Sequence, residues 1–294
     1  MCLSHILELP TKKLIKNLDG PSLSGDKYSG PIGSLLSDVE SLPLNFDFPV
    51  LDASLIPAIS SEALSKLNGD QNMFVKLVLI ITTGQIPKNF KNYKIGEMSQ
   101  ARWVTTNTRV LYLFISVHGL DPTSTYKLRL LVEFIINVYA NAWFSLRISE
   151  KWTVAPKIYL DAILKLQSQD QVVQDAVART FQTGAYWLHS EMILQHLLSE
   201  GSREDREFAY STILQIRQAK GHGDIGDSSY RKRKNPPINM KATGFQDVID
   251  WSNKLDLYEP VLTANIASKD LVQFLYNPME VENLPAHTQV CFII

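Results

Sequence analysis

A mainly α-helical fold is what this sequence predicts, on three observations. Apolar residues recur every three or four positions through most of residues 69–220, and glycine, proline or capping residues punctuate those segments. The stretch Thr125–Lys151 is apolar on more than one face, as a central core helix would be. The hydrophobic fraction of 45% against 20% charged residues supplies enough apolar surface to offset chain entropy, which argues against wholesale disorder. At 294 residues, one large core or two coupled cores both fit.

The elements follow in order. A short helix is expected at Glu8–Asn17, then turns marked by Gly20, Pro21, Gly25, Gly30 and Gly33. Pro31 suits the first turn of another helix, whose Leu35, Leu36 and Val39 would face inward. Prolines alternate with apolar residues from Leu42 to Pro57, which predicts an extended tether with a strand at Asn45–Val50. Met73, Phe74, Leu77, Val78 and Ile81 mark a buried helix that Gly84 stops. A second begins near Ser99 with Trp103, Val110, Leu111, Phe114 and Val117 as its stripe, ended by Gly119 and Pro122.

The core helix at Thr125–Lys151 carries Leu128, Leu131, Val132, Ile135, Val138, Ala142 and Leu146 at helical spacing. Further helices are expected at Lys157–Leu166, Gln171–Phe181, Ser190–Ser199 and Glu204–Lys220. The last is capped by Ser202 with Asp205 and closed by Gly221. A flexible loop at 221–237 holds the basic run Arg231, Lys232, Arg233 and Lys234. An amphipathic turn around Phe245, Val248, Ile249 and Trp251 follows, and then a helix at Ala267–Leu275. The resulting divisions are a Gly/Pro-rich segment at 1–58, a helical domain at 59–220, the basic loop at 221–237 and a helical segment at 238–294.

A formal charge of −1 gives no global field toward nucleic acid or an anionic membrane, so any basic surface must be local. Two cysteines at opposite ends, Cys2 and Cys291, form no disulfide framework or four-cysteine zinc site and point to a reducing compartment. With no leader pattern at the start and no apolar run of about 18 residues, the expected location is nucleus or cytoplasm, with no membrane association.

No chemical motif is complete. Cys2 and His5 have the spacing of half a zinc clip, but a closed site needs about four ligands. His189, Glu191 and His196 could share a helix face, yet core or surface histidines are the commoner case, so neither a metal nor another cofactor is expected. A hydrolase gathering those three residues is a minor alternative. Ser29-Gly30-Pro31-Ile32-Gly33 could offer amides to a phosphate but lacks the Lys and Ser or Thr of a P-loop, which favours a structural turn. Arg102-Trp103 reads as a packing device, and Arg231–Lys234 as a solvated loop, an import signal or a phosphate-contacting patch.

Several of these strings, in order, resemble a widespread group of uncharacterised transposon-derived proteins: Cys2-Leu3-Ser4-His5, Glu8-Leu9-Pro10, Leu18-Asp19-Gly20, Ser29-Gly30-Pro31-Ile32-Gly33 and Ala101-Arg102-Trp103-Val104-Thr105-Thr106-Asn107. Val132-Glu133-Phe134-Ile135, Val138-Tyr139, Trp143-Phe144, Val248-Ile249-Asp250-Trp251, Glu259-Pro260 and His287-Thr288-Gln289 extend the resemblance over nearly the whole chain. More distantly, Cys2-x-x-His5 followed by Arg102-Trp103 resembles hAT-type transposases, whose RNase H-like fold is interrupted by a helical insertion domain.

That resemblance implies that 1–58 is a remnant of the RNase H-like core, with one or two remnant strands, and that most of the chain is the insertion domain. Such folds cleave phosphodiesters with three carboxylates on two divalent metals. The resemblance places two of those acids before Met1 and the third just after His287-Thr288-Gln289, so the expected product is truncated at both ends and non-catalytic. It would bind DNA or a protein partner. The alternative is a helical protein-interaction module with no nucleic-acid role.

Overall fold

The computed structural model describes residues 3–23, 27–45, 47–52, 59–88, 90, 95, 104–116, 119–148, 155–184, 194, 197–198, 202–219, 238–249, 272 and 276. Among them the regular structure is helical, as the periodicity predicts, and β structure is limited to isolated bridges between Ser22 and Tyr28 and between Ile238 and Ile249. The chain divides into two compact units, one of residues 4–149 and 168–178, the other of residues 1–3, 150–167 and 179–294.

The unit containing residues 4–149 opens with α1 (Leu3–Asp19), longer at both ends than its apolar pattern and carrying Pro10 inside it. The expected helix after Pro31 is instead a pair of 3-10 turns, Gly33–Leu35 and Val39–Ser41. Three-residue turns put Leu36 and Val39 on one side, and both are fully buried, while Leu35 is only half-buried. Short α2 (Ser61–Ser65) is capped by Ser60, whose hydroxyl accepts from Ala63 N at 3.1 Å.

Helix α3 (Gly69–Thr83) begins with a reciprocal cap. Gln71 N donates to Asn68 Oδ1 at 3.0 Å, and Asn68 N donates to Gln71 Oε1 at 3.3 Å. Met73, Phe74, Leu77, Val78 and Ile81 are all buried, and Gly84 closes the helix in the left-handed region at φ 72°. Among the described residues of 45–50, the expected strand does not form. Asn45 N donates to Ile115 O at 2.6 Å and Leu51 N to Ile81 O at 3.0 Å, so the ends of this tether satisfy a carbonyl just after Phe114 and one near the end of α3 rather than a neighbouring strand.

Helix α4 (Thr105–Phe114) is shorter than its expected span from Ser99, and residues 96–103 lie outside the described set. All ten of its residues are buried, where the sequence predicts a single stripe. Pro122 starts the next helix rather than ending this one. It occupies the first turn of α5 (Pro122–Phe134), where a missing N–H costs nothing. The single core helix expected at Thr125–Lys151 is divided by a π-helical segment, Ile135–Ala140, before α6 (Asn141–Arg147). Asn141 Nδ2 donates to Ile136 O at 3.2 Å and Asn137 O at 3.1 Å, satisfying carbonyls beside the widened turn.

The cap of α5 yields a pH prediction. Asp121 Oδ1 accepts from Thr123 N at 2.9 Å and Ser124 N at 3.1 Å, and the Ser124 hydroxyl donates to Oδ2 at 2.5 Å. The Ser124 hydroxyl and then its amide hold the carboxyl below the ordinary aspartate range. A depressed folded value means that the cap stabilises above the unfolded value and is lost as pH falls through the folded one. NMR titration should find Asp121 protonating more acidically than a model aspartate. Asp121→Asn, itself a good cap, should keep the helix and remove this pH dependence.

In the other unit, α7 (Ala155–Gln167) packs with α10 (Phe245–Val248). Helix α8 (Gln171–Gly184) contributes residues 179–184 here and 171–178 to the first unit. Buried Tyr159 donates its hydroxyl to Phe181 O at 2.8 Å, and burial raises its phenol far above the ordinary tyrosine value. Helix α9 (Arg203–Ala219) has the predicted cap: Asp205 N donates to Ser202 Oγ at 3.1 Å and Ser202 N to Asp205 Oδ2 at 3.2 Å. Of the helix expected at Ser190–Ser199, only the helical and buried Leu194, Leu197 and Leu198 are described. Only Val272 of the expected Ala267–Leu275 helix is described, and Gly221 and the loop 221–237 lie outside the described residues.

Candidate functional site

The strongest polar architecture lies in the unit of residues 4–149, where two segments of the sequence resemblance come together. Asp19 ends α1, where a carboxylate opposes the partial negative charge of the helix C-terminus. Its compensation is a clasp. Oδ1 accepts from Ile32 N at 3.1 Å and Oδ2 from Gly33 N at 2.6 Å, in a site where Asp19 is 7% exposed. The glycines of Ser29-Gly30-Pro31-Ile32-Gly33 permit this approach. A Cβ on Gly30 would run into the Asp19 carbonyl and carboxylate, and one on Gly33 into Tyr28 Cβ. These amides are therefore turned toward the chain's own carboxylate, the structural turn that the sequence favours over a phosphate cradle.

Arg109, 3% exposed on α4, extends the same device. Its Nη1 donates to Leu36 O at 2.8 Å and Ser37 O at 2.9 Å, tying α4 to the turns that follow the clasp. Glu40, in the second of those turns, accepts from Ile95 N at 2.6 Å. Polar residues of α4 thus work inward on backbone groups.

Deeper in this unit is a second polar group. Glu8 and Thr11, three residues apart on α1, are 1% and 0% exposed; Asn107 on α4 is 0% and Tyr139 in the π segment 1%. Burial raises the Tyr139 phenol well above the ordinary value and the Glu8 carboxylate adds to this, while the Asn107 amide pulls it back. Asn107 therefore meets Tyr139 inside the core. Glu8, Asn107 and Tyr139 each fall in a string of the resemblance, but no spacing motif joins them.

The residues singled out from the sequence fall elsewhere. His5 lies in the first turn of α1, and Cys2 is outside the described residues, as are Arg102, Trp103, His189, Glu191, His196 and Arg231, Lys232, Arg233 and Lys234. Among the described residues no three His, Cys, Asp or Glu side chains gather as a metal site would require. No described helix is long and apolar enough to cross a membrane. Exposed Lys13 and Lys16, with half-buried Lys12, give α1 a basic edge at helical spacing that the charge balance of the chain conceals. In the other unit, Asn239, Lys241, Thr243 and Asp247 border an open polar hollow of about 510 Å³. No family model, curated protein or solved structure matches the chain.

Proposed function

We propose that this chain is a non-catalytic, transposon-derived helical protein that binds DNA through local basic surface. The observation that carries the reading is the inward use of the matched segments. Both Asp19 oxygens, in one matched segment, are occupied by the amides of Ile32 and Gly33, in another. An acid so engaged is turned into its own chain rather than toward a substrate or a metal, so these segments serve architecture. The basic edge of α1 and the run Arg231–Lys234 then supply the groups able to meet phosphates.

Purified protein with hairpin or nicked DNA and magnesium or manganese should leave the strands intact; reproducible metal-dependent cleavage would overturn the non-catalytic reading. Duplex binding should weaken steeply with salt. Replacing Arg231, Lys232, Arg233 and Lys234 with alanine should lower the logarithmic salt slope by about 0.9 for each phosphate no longer neutralised. An unchanged slope removes that loop from the interface, and the absence of salt-sensitive binding removes DNA as the partner. The second reading, a protein-interaction module, draws on Tyr126 and Val172, which are 50% and 51% exposed.

A further inference from the structure

We infer, resting on the DNA-binding reading above, that the outer edge of α1 is a phosphate rail: it holds duplex DNA by its backbone and reads no bases. Within residues 7–19 the side chains that reach solvent, wholly or in part, are Leu9, Lys12, Lys13, Lys16 and Asn17. Both carboxylates of that stretch are withdrawn from this edge. Glu8 is 1% exposed, and Asp19 gives its two oxygens to Ile32 N and Gly33 N. Asp19 stands three residues after Lys16, a spacing at which an outward carboxylate would pair with the ammonium group, and the clasp takes that partner away. The ion pairs among the described residues are Lys66–Glu62, Arg129–Glu133, Lys157–Asp161 and Arg203–Glu207, so none of the three α1 lysines belongs to one.

Spacing and chemistry set the mode of binding. Lys12, Lys13 and Lys16 fall within about 6 Å of helix axis, and a DNA strand presents a phosphate about every 3.4 Å of its own axis. Long flexible stems can bring all three ammonium groups onto such a row. Lysine is a compact point charge and lacks the planar fork with which arginine grips a guanine edge. Asn17 is the one side chain on this edge with the amide that reads adenine, and its Nδ2 donates instead to Ala176 O at 2.9 Å. An anionic membrane would need an apolar face on the same helix, but Leu7, Leu14, Ile15 and Leu18 are all buried.

The test measures the full chain on two DNA duplexes of equal length and unrelated sequence by fluorescence anisotropy over a salt series. Lys12→Gln, Lys13→Gln and Lys16→Gln together should lower the logarithmic salt slope by about 2–3, at about 0.9 for each phosphate released. Affinity for both duplexes should fall by the same factor. Removing three lysines elsewhere in the unit, by Lys66→Gln, Lys76→Gln and Lys127→Gln, should leave the slope unchanged. A folded α1 variant with the wild-type slope, one that weakens a single sequence, or an equal drop in the control overturns the rail and leaves DNA binding standing. An RNA duplex of the same length held more tightly than DNA overturns it too. Wild-type protein without salt-sensitive binding removes both the rail and the DNA reading. Should the triple variant misfold, Lys13→Gln with Lys16→Gln, both at exposed positions, should lower the slope by about 2, and an unchanged slope there overturns the rail.

Discussion

Gly30→Ala should destabilise the unit of residues 4–149 by about 3 kcal/mol, the upper part of the usual range for an added methyl in a packed site. The reason is the identity of what the new Cβ meets. It would overlap the Asp19 main-chain carbonyl and the carboxylate, and backbone at the end of α1 cannot swing aside as a flexible side-chain tip can. Relief requires opening the clasp, which surrenders the bonds from Ile32 N and Gly33 N and leaves a buried carboxylate unpaired. The contrast is Gly69→Ala at the start of α3, where an added Cβ meets nothing within 4 Å. There the unfolded chain loses freedom and the protein should gain about 0.5 kcal/mol. Denaturant midpoints would check both. Hydrogen exchange at Ile32 and Gly33 should accelerate about a hundredfold in Gly30→Ala alone, because 1.4 kcal/mol corresponds to a factor of ten.

The clasp also shows where sequence reading reaches and where it stops. Met73, Phe74, Leu77, Val78 and Ile81 announce α3 because burial there follows a local period, and Ser202 with Asp205 announces α9 because capping groups lie within one turn. Asp19 and its partners are 13 and 14 residues apart, joined by a turn whose path no local rule sets. Gly30 and Gly33 are legible as turn residues, but not as the space a carboxylate needs. Helix α4 fails for a different reason. An apolar stripe implies a wet opposite face, yet its polar residues are drawn inward by Leu36 O, Ser37 O and the Glu8–Tyr139 cluster. The π segment is likewise silent in the sequence, since one widened turn leaves Ile135, Val138 and Ala142 at spacings a regular helix also allows. Glu8, Asn107 and Tyr139 thus lie in strings that the sequence displays, while their meeting in the core is set by packing that no local rule gives.

Phe74→Ala should cost about 3–5 kcal/mol, the range for deleting a large side chain from a core that cannot collapse around the gap. Phe74 is wholly buried on α3, with Trp143 at 5.2 Å, Tyr139 at 5.6 Å and Phe144 at 6.4 Å between ring centres. Two of these pairs meet edge to face, at 71° and 83°, so the ring contributes orientation-dependent attraction beyond its area. Its neighbours are held by the π segment and α6, which limits relaxation. Phe74→Leu keeps most of the volume and should cost roughly 1.5 kcal/mol. The comparison separates a packing role from a rigid demand for an aromatic ring. Because Tyr139 packs against Phe74 and also interacts with Asn107, the two sites are coupled through one side chain. Phe74→Ala and Asn107→Leu should therefore depart from additivity by about 0.5 kcal/mol or more in a double-mutant cycle. Strict additivity would mean that Tyr139 holds its position without help from either side.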